Sequence, residues 1–166
     1  MGSFLDRSTF ADIKEKGLGM GAKPDYITVK GTITFIKRDQ EVGPWYNSVP
    51  EGDIKYKVIQ EPNGEWRCEK LDKVFQTKTN RYILPTTASD WSGNSWLTAF
   101  DECAVEILGT NADELEQLKM QDEASFEQVF TAAMFKDHLF RLKVKMETYQ
   151  DEERIKCQIV DIKEVD

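Results

Sequence analysis

Five cations, two large aromatics, three cysteines and one histidine are the residues of this 166-residue chain whose types and spacing bear on chemistry. Arg141, Lys143 and Lys145 alternate through 138–146 with an apolar series, His138, Phe140, Leu142, Val144 and Met146. A period of two puts the cations on one face of a strand. Arg154 and Lys156 alternate in the same way with Ile155, Cys157 and Ile159. If the two stretches pair across the polar turn at 149–153, all five cations share a surface. That surface is either an ordinary solvated sheet face or a place that meets phosphates. In 95–100, Trp96, Thr98 and Phe100 alternate with Leu97 and Ala99. Either the rings fill the core, or the small residues do and the rings project outward, where aromatic surfaces stack unpaired bases.

Catalysis finds little support. His138 is the only histidine, so a His-rich metal site is excluded and any Ser–His or Cys–His nucleophile depends on this ring. Flanked by Leu139 and Phe140 in a strand-like stretch, it reads as structural. Asp113, Glu114 and Glu116 form a helix surface, and Asp151, Glu152 and Glu153 a charged turn. No carboxylate pair sits in an apolar run that would split two pKa values. There is no P-loop, GxSxG or HExxH motif, and the Gly-rich stretch at 17–24 lacks the dinucleotide fingerprint. The chain therefore reads as a non-enzyme with no catalytic residues and no cofactor. Cys68, Cys103 and Cys157 are odd in number and far apart, which argues for a reduced compartment and against a disulfide framework.

Charge narrows the partners. Asp and Glu number 30 against 22 Lys and Arg, a net −8, so uniform adhesion to nucleic acid or an anionic membrane is disfavoured and any polyanion must meet a locally basic face. Hydrophobic residues at 40% are enough for a folded globule. No apolar run approaches the roughly 18 residues of a membrane span, and no signal-type N-terminus is seen.

The elements that must position these residues follow in order. Residues 1–24 form a lead-in ending in a loop. A strand begins at Tyr26, with Val29, Gly31, Ile33 and Phe35 on its apolar side. An irregular stretch at 39–78 carries Pro44, Pro50 and Pro62, and 54–60 and 65–70 flank Asn63-Gly64 as a hairpin. Arg81–Ala88 and Ser95–Phe100 read as strands joined by the turn Asp90–Asn94. Asp101–Leu108 is a helix ended by Gly109, Asn111 with Glu114 caps a helix over Ala112–Met120, and Ser125–Met134 carries a helical apolar face. The two basic strands close the chain. Five strands with helices between the third and fourth, and an insertion after the first, are the layout of an OB barrel, placed here as a single domain over 25–166.

Several stretches carry a resemblance: LGMGAKPDY before the first strand, WRCEK in the hairpin, RYIL, SGNSW, AVEILGTNADEL, FEQVF, VKMETYQDEERIK and VDIKEVD. Together they resemble the C-terminal OB domain of the replication protein A large subunit from about Leu18 to Asp166. The resemblance implies a five-stranded OB barrel that binds single-stranded DNA without cleaving it, with a zinc ribbon between strands one and two. On the family's groove, it implies Trp96 and Phe100 as the stacking platform and Arg141 and Lys143 as phosphate contacts, with Arg81, Phe135 and Lys136 bordering them. It also implies a nuclear protein partnered by single-stranded DNA and by other subunits, with no membrane.

The chain departs from that pattern in two places. The family's zinc cysteines, C-x4-C and C-x2-C separated by thirteen residues, fall on Val49, Ile54, Cys68 and Leu71. One thiolate does not make a tetrahedral zinc site. The expectation is a degenerate ribbon with no metal, held by Val49, Ile54 and Leu71 as an apolar cluster with Trp45 and Trp66. The family also continues into an amphipathic helix that assembles a heterotrimer, whereas this sequence stops at Asp166; either that helix lies outside it or this copy assembles otherwise. Both departures point to a specialised, telomerase-associated paralogue that holds G-rich telomeric strands, ahead of a general replication protein. The alternative from another class is a protein-interaction module docking a complex partner through the insertion.

Overall fold

The computed structural model describes residues 7–38 and 43–165, the Tyr149 side chain apart; the first six residues of the lead-in, residues 39–42 at the start of the insertion, and Asp166 lie outside the described residues. The described chain is mostly β with four helices. In order come β1 (Arg7–Ser8), α1 (Phe10–Glu15), β2 (Asp25–Ile36), β3 (Trp45–Ser48), β4 (Ile59–Gln60), β5 (Trp66–Cys68), β6 (Lys73–Phe75), β7 (Thr79–Asp90) and β8 (Gly93–Phe100). Helices α2 (Asp101–Leu108), α3 (Ala112–Gln121) and α4 (Glu123–Ala133) precede β9 (Asp137–Tyr149) and β10 (Glu152–Glu164).

Five long strands carry the architecture. β2 pairs antiparallel with β9, placing Thr28 opposite Arg141 and Tyr26 opposite Lys143. β9 pairs antiparallel with β10, with Lys143 opposite Gln158 and Lys145 opposite Lys156. β10 runs parallel to β8, with Gln158 beside Thr98. β8 forms a hairpin with β7, Thr98 facing Pro85, and β7 also pairs with β2, Ile33 facing Ala88. The hairpin turn is held by the Asp90 carboxylate, which accepts from the amides of Ser92, Gly93 and Phe10.

Alternation decides what is buried. On β7, Tyr82, Leu84, Thr86 and Ala88 point inward, and on β8 Leu97 and Ala99 do the same. They join Val29, Ile33, Ile36, Phe140, Leu142, Val144 and Ile159 in one core. The helices cover it with Ile107, Leu115, Phe126 and Phe130, each worth about 1.5–3 kcal/mol of burial. Their ends follow local chemistry. Gly109 ends α2 in the left-handed region at φ 77°, and Asn111 caps α3 by accepting from the Glu114 amide at 2.8 Å.

The lead-in is more ordered than its sequence suggests. Thr9 and Asp12 form a reciprocal capping box that starts α1, and Phe10 and Ile13 from this helix enter the core. Gly31 makes room for Phe10: a Cβ there would lie 2.8 Å from its ring.

The insertion is divided between two structures. β3 joins the main sheet, pairing with β7 through Trp45 opposite Tyr82 and Tyr46 opposite Arg81. β4, β5 and β6 form a separate three-stranded sheet, with the Asn63-Gly64 turn between β4 and β5 as the sequence indicates. A small second core of Val49, Val58, Cys68 and Phe75, with Trp66 packed against it, lies beneath this sheet. This corrects the expected cluster. Val49 and Cys68 are inside it, but Ile54 and Leu71 are exposed and Trp45 belongs to the main core. The four register positions thus offer one sulfur, enclosed in an apolar cluster, and the residues do not fit a zinc ion.

His138 is 5% exposed, with its Nε2 unpartnered, in a cavity shared with Glu106, Ile162 and Glu164. Burial pushes its pKa below the ordinary 6.5; Glu164 and Asp137 oppose that shift and Lys136 adds to it. The unfolded chain therefore takes up the proton first as pH falls. Stability held above about pH 6.5 is lost on acidification through that range. Urea denaturation at pH 7.5 and 5.5 is expected to show this loss in the wild type and a smaller one in His138→Phe; equal losses would remove His138 as the cause.

Candidate nucleic-acid interface

The outer face of β7, β8, β10 and β9 is where the ordered pairings bring aromatic and basic side chains together. With Leu97 and Ala99 inside, Trp96, Thr98 and Phe100 point outward; Trp96 is 55% exposed and Phe100 is half-buried. The same face of β7 carries Thr87, Pro85 and Ile83, opposite Trp96, Thr98 and Phe100 in turn. Ile83 is exposed.

The sequence reading missed Phe35. Simple alternation along β2 puts Phe35 inside with Ile33. The register between β2 and β7 shifts, however: Ile33 faces Ala88 and Phe35 faces Thr87, so one extra residue, Thr34, is accommodated on β2. The shift exchanges faces, burying Ile36 and exposing Phe35. The Phe35 ring meets Trp96 edge-on, centroids 6.0 Å apart, and completes an exposed aromatic pair. No residue type in the stretch signals the extra residue.

Beside Trp96 lies a cavity of about 290 Å3, lined by Trp96 and Thr98 of β8, Glu147 of β9, and Arg154–Cys157 of β10. Its cations are interleaved with carboxylates. Arg154 donates to Glu152 at 2.6 Å, while Lys156 lies 3.7 Å from Glu147 and 5.8 Å from the Phe100 ring centroid. These pairs are largely exposed, so each is worth about 0–1 kcal/mol and yields readily to a phosphate.

The expected site residues separate. Lys143 is half-buried on the outer face, one strand from Thr98 through Gln158. Arg141 does not project from the surface: it is 6% exposed, donates from Nη1 to the Thr28 hydroxyl at 3.0 Å, and its Nε has no partner. Burial takes it out of the solvated stripe the alternation implies. Arg81 is occupied by the insertion. Its Nε donates to the Ser48 hydroxyl at 3.0 Å and its Nη2 to the Gly52 carbonyl at 2.8 Å, with Asp101 at 3.8 Å. Phe135 is 71% exposed at φ 65° and hydrogen-bonds through its amide to the Ile33 carbonyl, whereas Lys136 lines the cleft between α2 and α4. Neither lies among the residues lining the cavity beside Trp96.

Comparison with known proteins agrees with this architecture. The family model described as Replication factor-A C terminal domain matches residues 26–166. A 70 kDa DNA-binding subunit of replication protein A from Oryza sativa is 42% identical over 164 residues, covering 96% of this chain and 24% of that protein. The 70 kDa DNA-binding subunit of Xenopus tropicalis is 41% identical over 155 residues, covering 93% and 25%. The chain therefore spans about a quarter of the length of these relatives. Among solved structures, a replication protein A heterotrimer bound to ssDNA superimposes with a TM-score of 0.89 at 34% identity over 96% of this chain and 36% of that one. Yeast RPA bound to ssDNA gives 0.84 at 31% identity over 96% and 88%. With its strand pairings, its intervening helices and a family match over nearly its whole length, this chain belongs to the replication factor-A C-terminal domain family.

Proposed function

We propose that this chain binds single-stranded DNA, without acting as an enzyme, across the outer face of its five-strand circuit read as an OB barrel. The observation that carries the reading is the exposed Phe35–Trp96 pair, continuous with a cavity edged by Arg154 and Lys156. Aromatic faces accept any base and cations accept the backbone, a combination suited to strands held without strict sequence readout. The two ssDNA-bound structures resembled by this chain support the ligand. By the same likeness, the domain works in the nucleus beside other subunits of a replication protein A-like complex.

The aliphatic residues at three of the four zinc positions support a finer reading, in which this is a specialised copy for G-rich telomeric strands in a telomerase complex. Anisotropy titrations with a G-rich repeat and a mixed-sequence oligonucleotide, each at several salt concentrations, test both levels. The expected result is binding that tightens as salt falls and is stronger for the G-rich strand. Equal affinities remove the specialised reading; no binding of either strand at low salt removes DNA binding and leaves protein docking. Lys143→Ala is expected to make the log–log salt slope shallower by about 0.7, the contribution of one phosphate contact on a single strand.

A further inference from the structure

The acid charge of this chain is concentrated in its helices. Residues 101–136, which hold α2, α3 and α4, carry nine Asp and Glu against Lys119 and Lys136, a net −7 of the chain's −8. The rest of the chain is therefore almost neutral in sum, and it is the helical layer that attracts cations. Within that layer α2 and α4 leave a cleft of about 400 Å3. Ile107 and Leu108 of α2 and Ala133 of α4 are its buried apolar lining, Val129 is half-buried and Ala132 is exposed. The small side chains on α4 let a further helix approach closely. Glu106 of α2 also lines a second, smaller cavity of about 60 Å3, together with His138, Ile162 and Glu164.

Two features mark the smaller cavity as a place for a cation. Glu102, Glu106, Asp161 and Glu164 make no ion pair among the described residues. Three of them act together on Cys103: burial, then Asp161, Glu102 and Glu106, push its thiol up to about 11. The second feature is the His138 Nε2, enclosed without a partner in a residue only 5% exposed. With its proton on Nδ1 the neutral ring accepts at Nε2, so the cavity offers one nitrogen and two carboxylates as acceptors. A lysine ammonium brings three donors in about the volume of a water molecule, which suits a cavity of this size. A planar guanidinium is broader.

We propose that the helical layer docks a lysine-bearing amphipathic helix of a partner protein, with its apolar stripe in the α2–α4 cleft and one lysine in the cavity of Glu106, His138 and Glu164. The apolar lining anchors the segment, and the exposed carboxylates of Glu102 and Asp161 add attraction around it. These residues are separate from the Phe35–Trp96 face and from the insertion, so single-strand binding and this docking stand or fall independently.

The test uses the 166-residue chain and labelled peptides of about 16 residues, roughly 24 Å of helix, built from leucine and lysine at amphipathic helical spacing. A peptide of the same composition in scrambled order, and one with arginine in place of lysine, are the comparisons. Fluorescence anisotropy is expected to show the leucine–lysine helix binding about tenfold more tightly than either. Ala132→Trp fills the cleft from an exposed position, and Glu106→Gln with Glu164→Gln removes two exposed charges. Each is expected to cost about tenfold in affinity for the leucine–lysine helix, with circular dichroism unchanged. Oligonucleotide affinity is expected to stay at the wild-type value in Ala132→Trp. His138→Phe is expected to abolish the preference for lysine over arginine. Equal binding of the ordered and scrambled peptides, or of the lysine and arginine peptides, overturns the proposal and leaves charge attraction alone. Undiminished peptide binding in Ala132→Trp, or a lysine preference that survives in His138→Phe, overturns it as well. A wild-type dimer in sedimentation that Ala132→Trp converts to monomer overturns it in favour of a second copy of this chain. A parallel fall in oligonucleotide affinity in Ala132→Trp overturns it in favour of DNA.

Discussion

Replacing Trp96 by alanine is expected to weaken single-strand binding by about 1–3 kcal/mol, roughly five- to 150-fold, with little change in its dependence on salt. The ring is 55% exposed and sits on a strand whose other face is locked in the core by Leu97 and Ala99. Its removal therefore subtracts stacking surface without moving charge or creating a cavity. Only phosphate contacts release counterions, so affinity and salt slope separate the two roles. Phe35 meets Trp96 edge-on, so Phe35→Ala should cost less alone and fail to add fully when combined with Trp96→Ala. Anisotropy titrations of the two single variants and the double variant at three salt concentrations measure this. A Trp96→Ala chain that binds like wild type, or one whose loss is confined to low salt, contradicts a stacking platform.

The parts of this fold that were legible in the sequence are those governed by local rules. The β7–β8 hairpin follows from the Asp90–Asn94 turn chemistry, and the helix ends follow from Gly109 and Asn111. The orientation of Trp96 required knowledge of the fold as well, since small and large residues alternate on β8 and either face fits a core by composition. What the sequence hid is set by non-local geometry. Phe35 turned outward because the β2–β7 register admits an extra residue, which no local propensity encodes. Arg141 reads as one of a row of solvated cations, yet it is buried and hydrogen-bonded to Thr28 on a strand more than a hundred positions away. Exposure of alternate residues is a property of a sheet with an open face; covering part of that face cancels it locally. The insertion shows the same limit. Its hydrophobic positions are visible, but only the fold separates Val49, which packs with Cys68, from Ile54 and Leu71, which do not.

Arg81 is where the sequence expectation and the structure make opposite predictions. If Arg81 bordered the DNA groove as a phosphate contact, Arg81→Lys would keep most of the affinity, because a point charge suffices there. In the structure the side chain is only 12% exposed and its guanidinium is used as a fork: one nitrogen donates to Ser48, another to the Gly52 carbonyl, and a third lies near Asp101. Lysine cannot reproduce that geometry. Hydrogen bonds from a charged donor contribute about 1.5–3 kcal/mol each, and losing the donor leaves the buried Ser48 hydroxyl without this bond. Arg81→Lys and Arg81→Ala are therefore both expected to destabilise the protein by about 2–3 kcal/mol. The loss should concentrate in the insertion: the amide of Val49, bonded to Tyr56, and that of Val58, bonded to Asn47, are expected to lose hydrogen-exchange protection, while amides of the β9–β10 hairpin keep theirs. Retention of insertion protection in Arg81→Lys would return Arg81 to the role of a surface phosphate contact; its loss assigns Arg81 the positioning of the insertion against the main sheet.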